Sequence, residues 1–167
     1  MGLDNQLRLR VSDWACLKHA QRLMSTFHPL RTLARGVMYI PPGFGTVTPY
    51  IFADDAESLV RFLTHGLGGQ ETCRTMRGDT IANCQVAIGT TTLMVSQASE
   101  RFPPSRSAFY LYVDNADESV KRALEEGASL VMKVADMPYD DRQGGVTDPS
   151  GNVWWISQRL VEEPYRP

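Results

Sequence analysis

Aromatic and aliphatic residues alternate with the period of a β-strand over residues 50–53 and again over residues 110–113. A stretch with apolar residues at helical spacing follows each run, up to Gly66 or Gly68 in the first case and Gly127 in the second. Three more strand-like runs follow each helix, over residues 71–76, 80–88 and 91–97 and over residues 129–135, 144–147 and 152–158. The pattern therefore predicts the order βαβββ twice.

The two predicted units are copies of each other. The run YIFADDAE that starts at Tyr50 matches the run YLYVDNAD that starts at Tyr110, with a constant offset of 110 − 50 = 60 residues. A single four-stranded sheet with one helix leaves its second face uncovered. We therefore expect an α+β fold of tandem βαβββ modules, whose uncovered faces curve toward each other as a mixed sheet around a cleft.

The turn signals divide the chain into five segments. Residues 1–45 are an N-terminal arm with a possible helix over residues 13–27. The first module covers residues 46–97 and the second covers residues 107–158. A linker at residues 98–106 carries Pro103 and Pro104, and residues 159–167 are a C-terminal tail.

The first 37 residues differ from the rest because six basic residues are opposed there only by Asp4 and Asp13. Three interpretations stay open for this segment: a docking arm that packs on the domain or on a partner subunit, an Arg-rich targeting segment, or a leader translated upstream of a start at Met38.

Composition narrows the class of protein. The chain has 167 residues, 43% hydrophobic and 22% charged, with a net charge of −2, which is typical of a globular protein without a polyanion-binding face. Neither nucleic acid nor a membrane is an expected partner, since no apolar run reaches about 18 residues. The cysteines, Cys16, Cys73 and Cys84, form no CxxC pair, and we expect three free thiols and a cytoplasmic location.

Three stretches resemble the glyoxalase and bleomycin-resistance branch of the vicinal oxygen chelate superfamily: TVTPYIFADD from Thr46, YLYVDN from Tyr110 and DDRQGGVTDPSGNVWWI from Asp140. The resemblance covers residues 45–158. It implies paired βαβββ modules around a small-molecule site, often in a homodimer or with modules exchanged between subunits. It also implies, for active members, one divalent metal held by side chains from the first and last strands of each module.

The metal-ligand positions carried over from the family are Thr48, Met94, Ala108 and Trp155. None is a histidine or a carboxylate, which are the donors that such metals require. A shift of one position brings in only the apolar residues Pro49, Leu93, Phe109 and Trp154. We therefore expect a chain without the usual metal site and without a cofactor.

Strand alternation predicts which side chains line the cleft. They are aromatic residues and amides together with one methionine: Tyr50, Phe52, Asn83, Gln85, Met94, Tyr110, Tyr112 and Trp155. We add Arg142, because an arginine before the last hairpin could reach an anionic group of a ligand. Two alternatives stay open for these side chains: they line an open binding cleft, or the same aromatic residues fill a closed core. For Arg142 the alternative to ligand contact is a surface salt bridge.

Three functions fit this sequence. The leading hypothesis is a metal-independent protein that binds a planar or amphipathic organic compound, with sequestration of that compound as its suggested role, and acts as a homodimer. An enzyme of lyase, isomerase or dioxygenase type with an atypical site is the alternative, and the sequence leaves open whether the chain is an enzyme. The third is a non-catalytic regulatory or structural subunit, since a fold does not fix a function.

Overall fold

The computed structural model describes residues 39–165. The first module starts with strand β1 (Tyr50–Ala53), followed by helix α1 (Ala56–Arg61), which continues as one π-helical turn (Phe62–Gly66). Three strands complete the module: β2 (Gln70–Arg77), β3 (Thr80–Ile88) and β4 (Thr91–Gln97). The order is βαβββ.

The second module repeats this order. It consists of strand β5 (Ala108–Tyr112), helix α2 (Ala116–Glu125) and strands β6 (Ser129–Asp136), β7 (Asp141–Thr147) and β8 (Val153–Arg159). Strand β7 starts three residues earlier than the sequence indicated, at a turn in which Asp140 has a positive φ of 63°. The polar start of β7 concealed it, because Asp141, Arg142 and Gln143 show no apolar alternation.

Each module forms its own four-stranded mixed sheet. The strand orders are β1-β4-β3-β2 and β5-β8-β7-β6, with the first strand parallel to the last and the other pairs antiparallel. The registers also correspond, since Tyr50 pairs with Met94 in the first sheet and Tyr110 pairs with Trp155 in the second. The duplication in the sequence is thus a duplication of strand pairing.

The helices start in the same way in both modules. Asp55 accepts a hydrogen bond from the backbone N–H of Ser58, and Asn115 does the same for Glu118. Such N-cap side chains satisfy backbone donors that have no partner inside the helix. The repeated Asp-Asp and Asp-Asn pairs of the sequence therefore position α1 and α2 at equivalent places on their sheets.

The core lies on the helix side of both sheets. It is continuous between the modules: Phe62 of the π-helical turn contacts Trp154 of β8, with ring centroids 6.4 Å apart, and Arg61 bonds Glu126 at 3.1 Å. The helices of the two modules therefore pack against each other. The helix-free face of each sheet is left outside this shared core.

The predicted α+β fold of tandem βαβββ modules is confirmed, with one correction. The two sheets of one chain do not close around a common cleft, because the helix layer binds the modules together and the sheets remain separate.

Three further expectations concern the arm helix, membrane-spanning helices and the cysteines. The arm helix predicted over residues 13–27 lies outside the described residues. Within residues 39–165, no helix is long and apolar enough to cross a bilayer. Cys84 is a buried free thiol, whereas Cys73 is disulfide-bonded, so the expectation of three free thiols is wrong for Cys73.

Candidate functional site

We call the helix-free side of the first sheet face 1. The pairing of Tyr50 with Met94 and of Met94 with Gln85 sets these three residues in one row across the sheet. Their neighbours in the strands, such as Ile51 and Val95, are buried under α1. Face 1 carries five of the predicted site residues: Tyr50, Phe52, Asn83, Gln85 and Met94.

Face 1 is open to solvent at its aromatic end. Tyr50 is 42% exposed, and its hydroxyl lies 2.7 Å from the hydroxyl of Ser96. The ring of Phe52 stacks on Phe102 of the linker, with centroids 5.3 Å apart. A half-exposed tyrosine next to stacked rings offers a flat apolar surface with one polar group.

Face 2 is the equivalent side of the second sheet. It carries Tyr110, Tyr112 and Trp155, and the two tyrosines are 45% and 55% exposed with ring centroids 5.1 Å apart. The indole of Trp155 lies across Gly145, because a Cβ placed on that glycine would be 2.7 Å from Cζ3 of the ring. Faces 1 and 2 share a tyrosine and a serine at equivalent positions, since Tyr110 donates to Ser157 at 3.1 Å.

A buried carboxylate distinguishes face 2 from face 1. Asp141 is 0% exposed and accepts hydrogen bonds from Tyr110 at 3.0 Å and from Ser157 at 2.8 Å. Arg159 bonds its other oxygen at 3.0 Å. Burial acts to raise the pKa of Asp141, but the hydrogen bonds from Tyr165, Ser157, Arg159 and Tyr110 outweigh it and hold the pKa below its ordinary value. The site therefore contains a stable anion.

Face 2 also contains a buried amide, that of Gln143, whose nitrogen makes no hydrogen bond to residues 39–165. Gln143 is 4% exposed, and its Oε1 accepts a hydrogen bond from Tyr139 at 2.7 Å, a length typical of an O–H donor. Among the described residues, its Nε2 is the one buried side-chain nitrogen or oxygen that makes no hydrogen bond. An unsatisfied buried donor costs about 1–3 kcal/mol, so this N–H group is a candidate for ligand contact.

Residues 160–165 of the C-terminal tail lie on face 2. The Tyr165 hydroxyl donates to Asp141 and lies 2.9 Å from the Tyr112 hydroxyl, while the Arg159 guanidinium lies 4.3 Å from the centroid of the Tyr165 ring. Burial and the hydrogen bond to Asp141 raise the pKa of Tyr165. The phenol of Tyr165 thus takes up one of the hydrogen-bonding positions of the buried Asp141 carboxylate.

Arg142 does not join the other predicted site residues. It lies on the helix side of β7, where it bonds Asp117 of α2 at 2.5 Å and Asp136 of β6 at 2.8 Å. The alternation along β7 causes this placement, because Asp141 and Gln143 on either side of it point to face 2. The ion pairs of Arg142 therefore connect α2 to the sheet, and the alternative interpretation of Arg142 as a salt-bridge residue is the one that the structure supports.

The remaining predicted residues form two groups instead of one. Within residues 39–165, no ring contact or side-chain hydrogen bond joins Tyr50 or Phe52 on face 1 to Tyr110 or Tyr112 on face 2. Sequence reasoning did not predict several residues of the two faces: Ser96, Tyr139, Asp141, Gln143, Ser157, Arg159 and Tyr165. The alternation of β7 and β8 could have indicated Gln143 and Ser157, whereas nothing in the pattern indicates the path of the tail.

The family's metal positions do not fit a metal in this chain. Thr48 donates to the carbonyl of Gly45 at 3.3 Å, Met94 offers a thioether, Ala108 a methyl group and Trp155 an indole that lies over Gly145. Residues 39–165 also hold no group of three or more His, Cys, Asp or Glu that could surround an ion. The donor set lacks the imidazoles and carboxylates that zinc, iron or manganese require.

A separate groove of about 370 Å³ lies between the modules. Leu67, Ile88, Leu111 and Arg122 line it, together with the first turn of α2. Two of its polar side chains have partners inside the chain: Asn115 caps α2, and Arg122 donates to Ser119 at 3.1 Å. We regard face 2 as the stronger candidate, because its buried Gln143 has an unused donor.

Comparison with known proteins decides the family. The model of the Glyoxalase/Bleomycin resistance protein/Dioxygenase superfamily matches residues 43–156. The chain belongs to this superfamily. Its matched segment includes all eight strands except the end of β8, so face 1 lies inside it, whereas Ser157, Arg159 and Tyr165 of face 2 lie beyond it.

The proteins that this chain resembles are distant from it in sequence. The uncharacterized protein Rv0887c of Mycobacterium tuberculosis is 26% identical over 128 residues, which cover 70% of this chain and 75% of that protein. TioX from Micromonospora sp. ML1 superposes with a TM-score of 0.60 at 22% identity, over 70% of this chain and 100% of TioX. TnmS3, an antibiotic binding protein from Streptomyces sp. CB03234, gives 0.54 at 24% identity, over 66% of this chain and 91% of TnmS3. The structural similarities support the fold.

Proposed function

We propose that this chain is a metal-independent protein that binds, and so sequesters, a planar or amphipathic organic compound on faces 1 and 2. The observation that carries the proposal is face 2 itself, where the half-exposed tyrosines Tyr110 and Tyr112 border a buried carboxylate and the unpartnered Nε2 of Gln143. Aromatic rings provide stacking area and the polar groups provide orientation. That TnmS3 is an antibiotic binding protein supports a ligand of this kind.

The other predicted face residues have matching roles in the proposal. Phe52 and Met94 supply apolar surface on face 1, and Asn83 and Gln85 offer amides that can orient a ligand. Trp155 adds a ring on face 2. The proposal uses no metal, because Thr48, Ala108 and the other family positions lack suitable donors.

A catalytic role has weaker support. Proton abstraction would need a base, and Tyr110 is a half-exposed polar residue of face 2 that lies next to Asp141. Burial, together with the neighbouring Asp141, raises the pKa of that phenol above its ordinary value. A tyrosine with a raised pKa is protonated at neutral pH and makes a poor base.

We also propose that the chain acts as a homodimer, in which face 1 of one copy lies opposite face 2 of the other. The helices of one chain pack together and turn its two faces to the outside, so a second copy is needed to oppose them. Large exposed apolar residues such as Tyr50 and Tyr112 are more typical of such a covered surface than of a free one. The cytoplasmic location stays a sequence-based prediction.

Calorimetric titration of protein dialysed against EDTA tests the proposed function. The ligands are 2-naphthol, acridine and flavone, with cyclohexanol as the aliphatic control. We expect at least one aromatic compound to bind, and Tyr112→Ala to weaken it about tenfold, whereas Leu124→Ala on the exposed side of α2 leaves the affinity unchanged. Binding that requires added metal, or an absence of binding across the panel, would contradict the proposal.

A further inference from the structure

We propose that face 2 recognises a hydroxyaryl carbonyl group of the ligand, at a site which the side chain of Tyr165 fills when no ligand is bound. This inference rests on the proposed function and adds to it a chemical class and a competing segment of the chain. Three sets of contacts carry it: those of the tail, those of Asp141 and those of Gln143.

The tail is held on face 2 by a small number of contacts. The backbone N–H of Leu160 donates to Asp140 at 3.0 Å, and Arg159 donates to the carbonyl of Glu163 at 2.8 Å. Beyond these, Tyr165 is held by its hydroxyl, by the Arg159 guanidinium over its ring and by the ring of Tyr139, whose centroid lies 6.3 Å from its own, and it remains 48% exposed. A segment with so little buried area can be displaced at low cost.

The Asp141 carboxylate selects a hydroxyl donor. Of its four hydrogen bonds, those from Tyr110, Ser157 and Arg159 come from strands β5 and β8, and the fourth comes from the tail. When Tyr165 leaves, the oxygen Oδ2 loses one donor while the strand contacts remain. A phenol on a ligand can restore that hydrogen bond and place its ring where the Tyr165 ring was, against Arg159 and Tyr139.

Gln143 selects an acceptor at a defined distance from that hydroxyl. It lies two residues after Asp141 on β7 and on the same face, so the two side chains leave the strand roughly 6.5–7 Å apart. Its free Nε2 needs a carbonyl-type oxygen, which Tyr165 does not provide. A para-hydroxyaryl ketone separates its hydroxyl and carbonyl oxygens by a similar length, so it can satisfy both groups together. This is an advantage of the ligand over the tail.

The experiment measures the affinity of three matched compounds by calorimetry: 4-hydroxybenzophenone, 4-methoxybenzophenone without the hydroxyl donor and 4-benzylphenol without the carbonyl. The proteins are the full chain, Tyr165→Ala, Tyr165→Phe and Gln143→Leu. We expect Tyr165→Ala to bind 4-hydroxybenzophenone about tenfold more tightly than the full chain, and Tyr165→Phe to improve binding by a smaller factor. Gln143→Leu should remove the preference for 4-hydroxybenzophenone over 4-benzylphenol.

The contrary results separate this inference from the proposed function. If the aromatic panel binds but neither Tyr165 variant improves the affinity for 4-hydroxybenzophenone, the competition by the tail is wrong and the binding function stands. Equal affinity of the hydroxy and methoxy compounds for Tyr165→Ala would overturn the role of Asp141. If no compound binds to any of the proteins, both proposals fail.

Discussion

The indole of Trp155 lies on the space left by the missing side chain of Gly145. A Cβ on Gly145 would come within 2.7 Å of Cζ3 and 3.0 Å of Cε3 of that ring, which is closer than van der Waals contact allows. The pair forms the floor of face 2, since the two residues are partners in the β7–β8 register.

Gly145→Ala is therefore expected to displace the Trp155 ring from face 2. We predict a loss of about 1–3 kcal/mol in the free energy of unfolding, typical of an overpacked site, and weaker binding of aromatic ligands. Chemical denaturation and calorimetric titration measure the two effects. Gly89→Ala is a control for the loss of a glycine, because no atom lies within 4 Å of its Cβ position, although its positive φ of 55° adds a backbone cost.

Gly144 provides a prediction for the opposite side of the same strand. A Cβ there would lie 2.9 Å from Val120 of α2 and 2.8 Å from Val134 of β6. Gly144→Ala should thus lower the free energy of unfolding by about 1–3 kcal/mol, because the added methyl group overlaps these side chains on the helix side of β7. The affinity for aromatic ligands should stay within about twofold, and a stronger effect on binding than on stability would contradict the assignment of faces.

The turn before β8 is predicted to be structural. The Asp148 carboxylate accepts hydrogen bonds from the backbone N–H groups of Ser150 and Asn152 and from the indole N–H of Trp154, each at 2.9 Å. Asp148→Ala leaves these buried donors without a partner, and we expect a loss of about 2–4 kcal/mol in the free energy of unfolding. Thermal and urea unfolding measure it. A variant as stable as the original chain would show that water replaces the carboxylate.

The pH dependence of stability is predicted from Asp141. Hydrogen bonds lower its pKa in the folded protein below the ordinary value of 3.8, so the anion stabilises the fold above about pH 4. That contribution is lost as the pH falls below 3.8 and through the lower pKa of the folded state. Asp141→Asn should therefore show a smaller decrease in stability between about pH 4 and pH 2 than the original chain. Urea unfolding at several pH values tests this, with Asp114→Asn, whose carboxylate forms no ion pair, as the control.

Cys84 is expected to be unreactive. Burial raises the pKa of its thiol to about 12, the charge of Glu71 adds to the effect, and the side chain is 0% exposed. Because the thiolate is the reactive form, native protein should not be alkylated by iodoacetamide at this position at pH 8, whereas unfolded protein should be. Mass spectrometry of tryptic peptides distinguishes the two cases, and rapid labelling of Cys84 in native protein would contradict its burial.

Much of the fold could be predicted from the sequence because the repeat shows it twice. The Tyr50 and Tyr110 runs predicted the same strand, turn and helix at a constant offset, and the structure has the same register for both. Strand alternation also placed Tyr112 and Trp155 correctly on a helix-free face. These features are local, and local periodicity determines them.

Features that depend on long-range packing could not be predicted in this way. Whether two sheets face each other depends on how the helix layers pack together. The contact of Phe62 with Trp154 joins the two modules, and the local sequence pattern around neither residue predicts it. Arg142 was predicted for the site because its charge suits a ligand, while its position in β7 sends it to Asp117. Tyr165 lies in the tail, where there is no periodicity that could indicate a partner.

The stoichiometry of ligand binding by a mixed dimer tests the central claim most directly. Phe52→Ala damages face 1 and Tyr112→Ala damages face 2, and the two variants are co-expressed with different tags and purified as a mixed dimer in EDTA. If each cleft joins face 1 of one copy to face 2 of the other, one cleft carries both substitutions and the other carries neither. We predict that native mass spectrometry finds one aromatic ligand per mixed dimer, bound with the affinity of the original protein. A mixed dimer that binds as weakly as both parent variants, or that binds only after metal is added, would contradict the account.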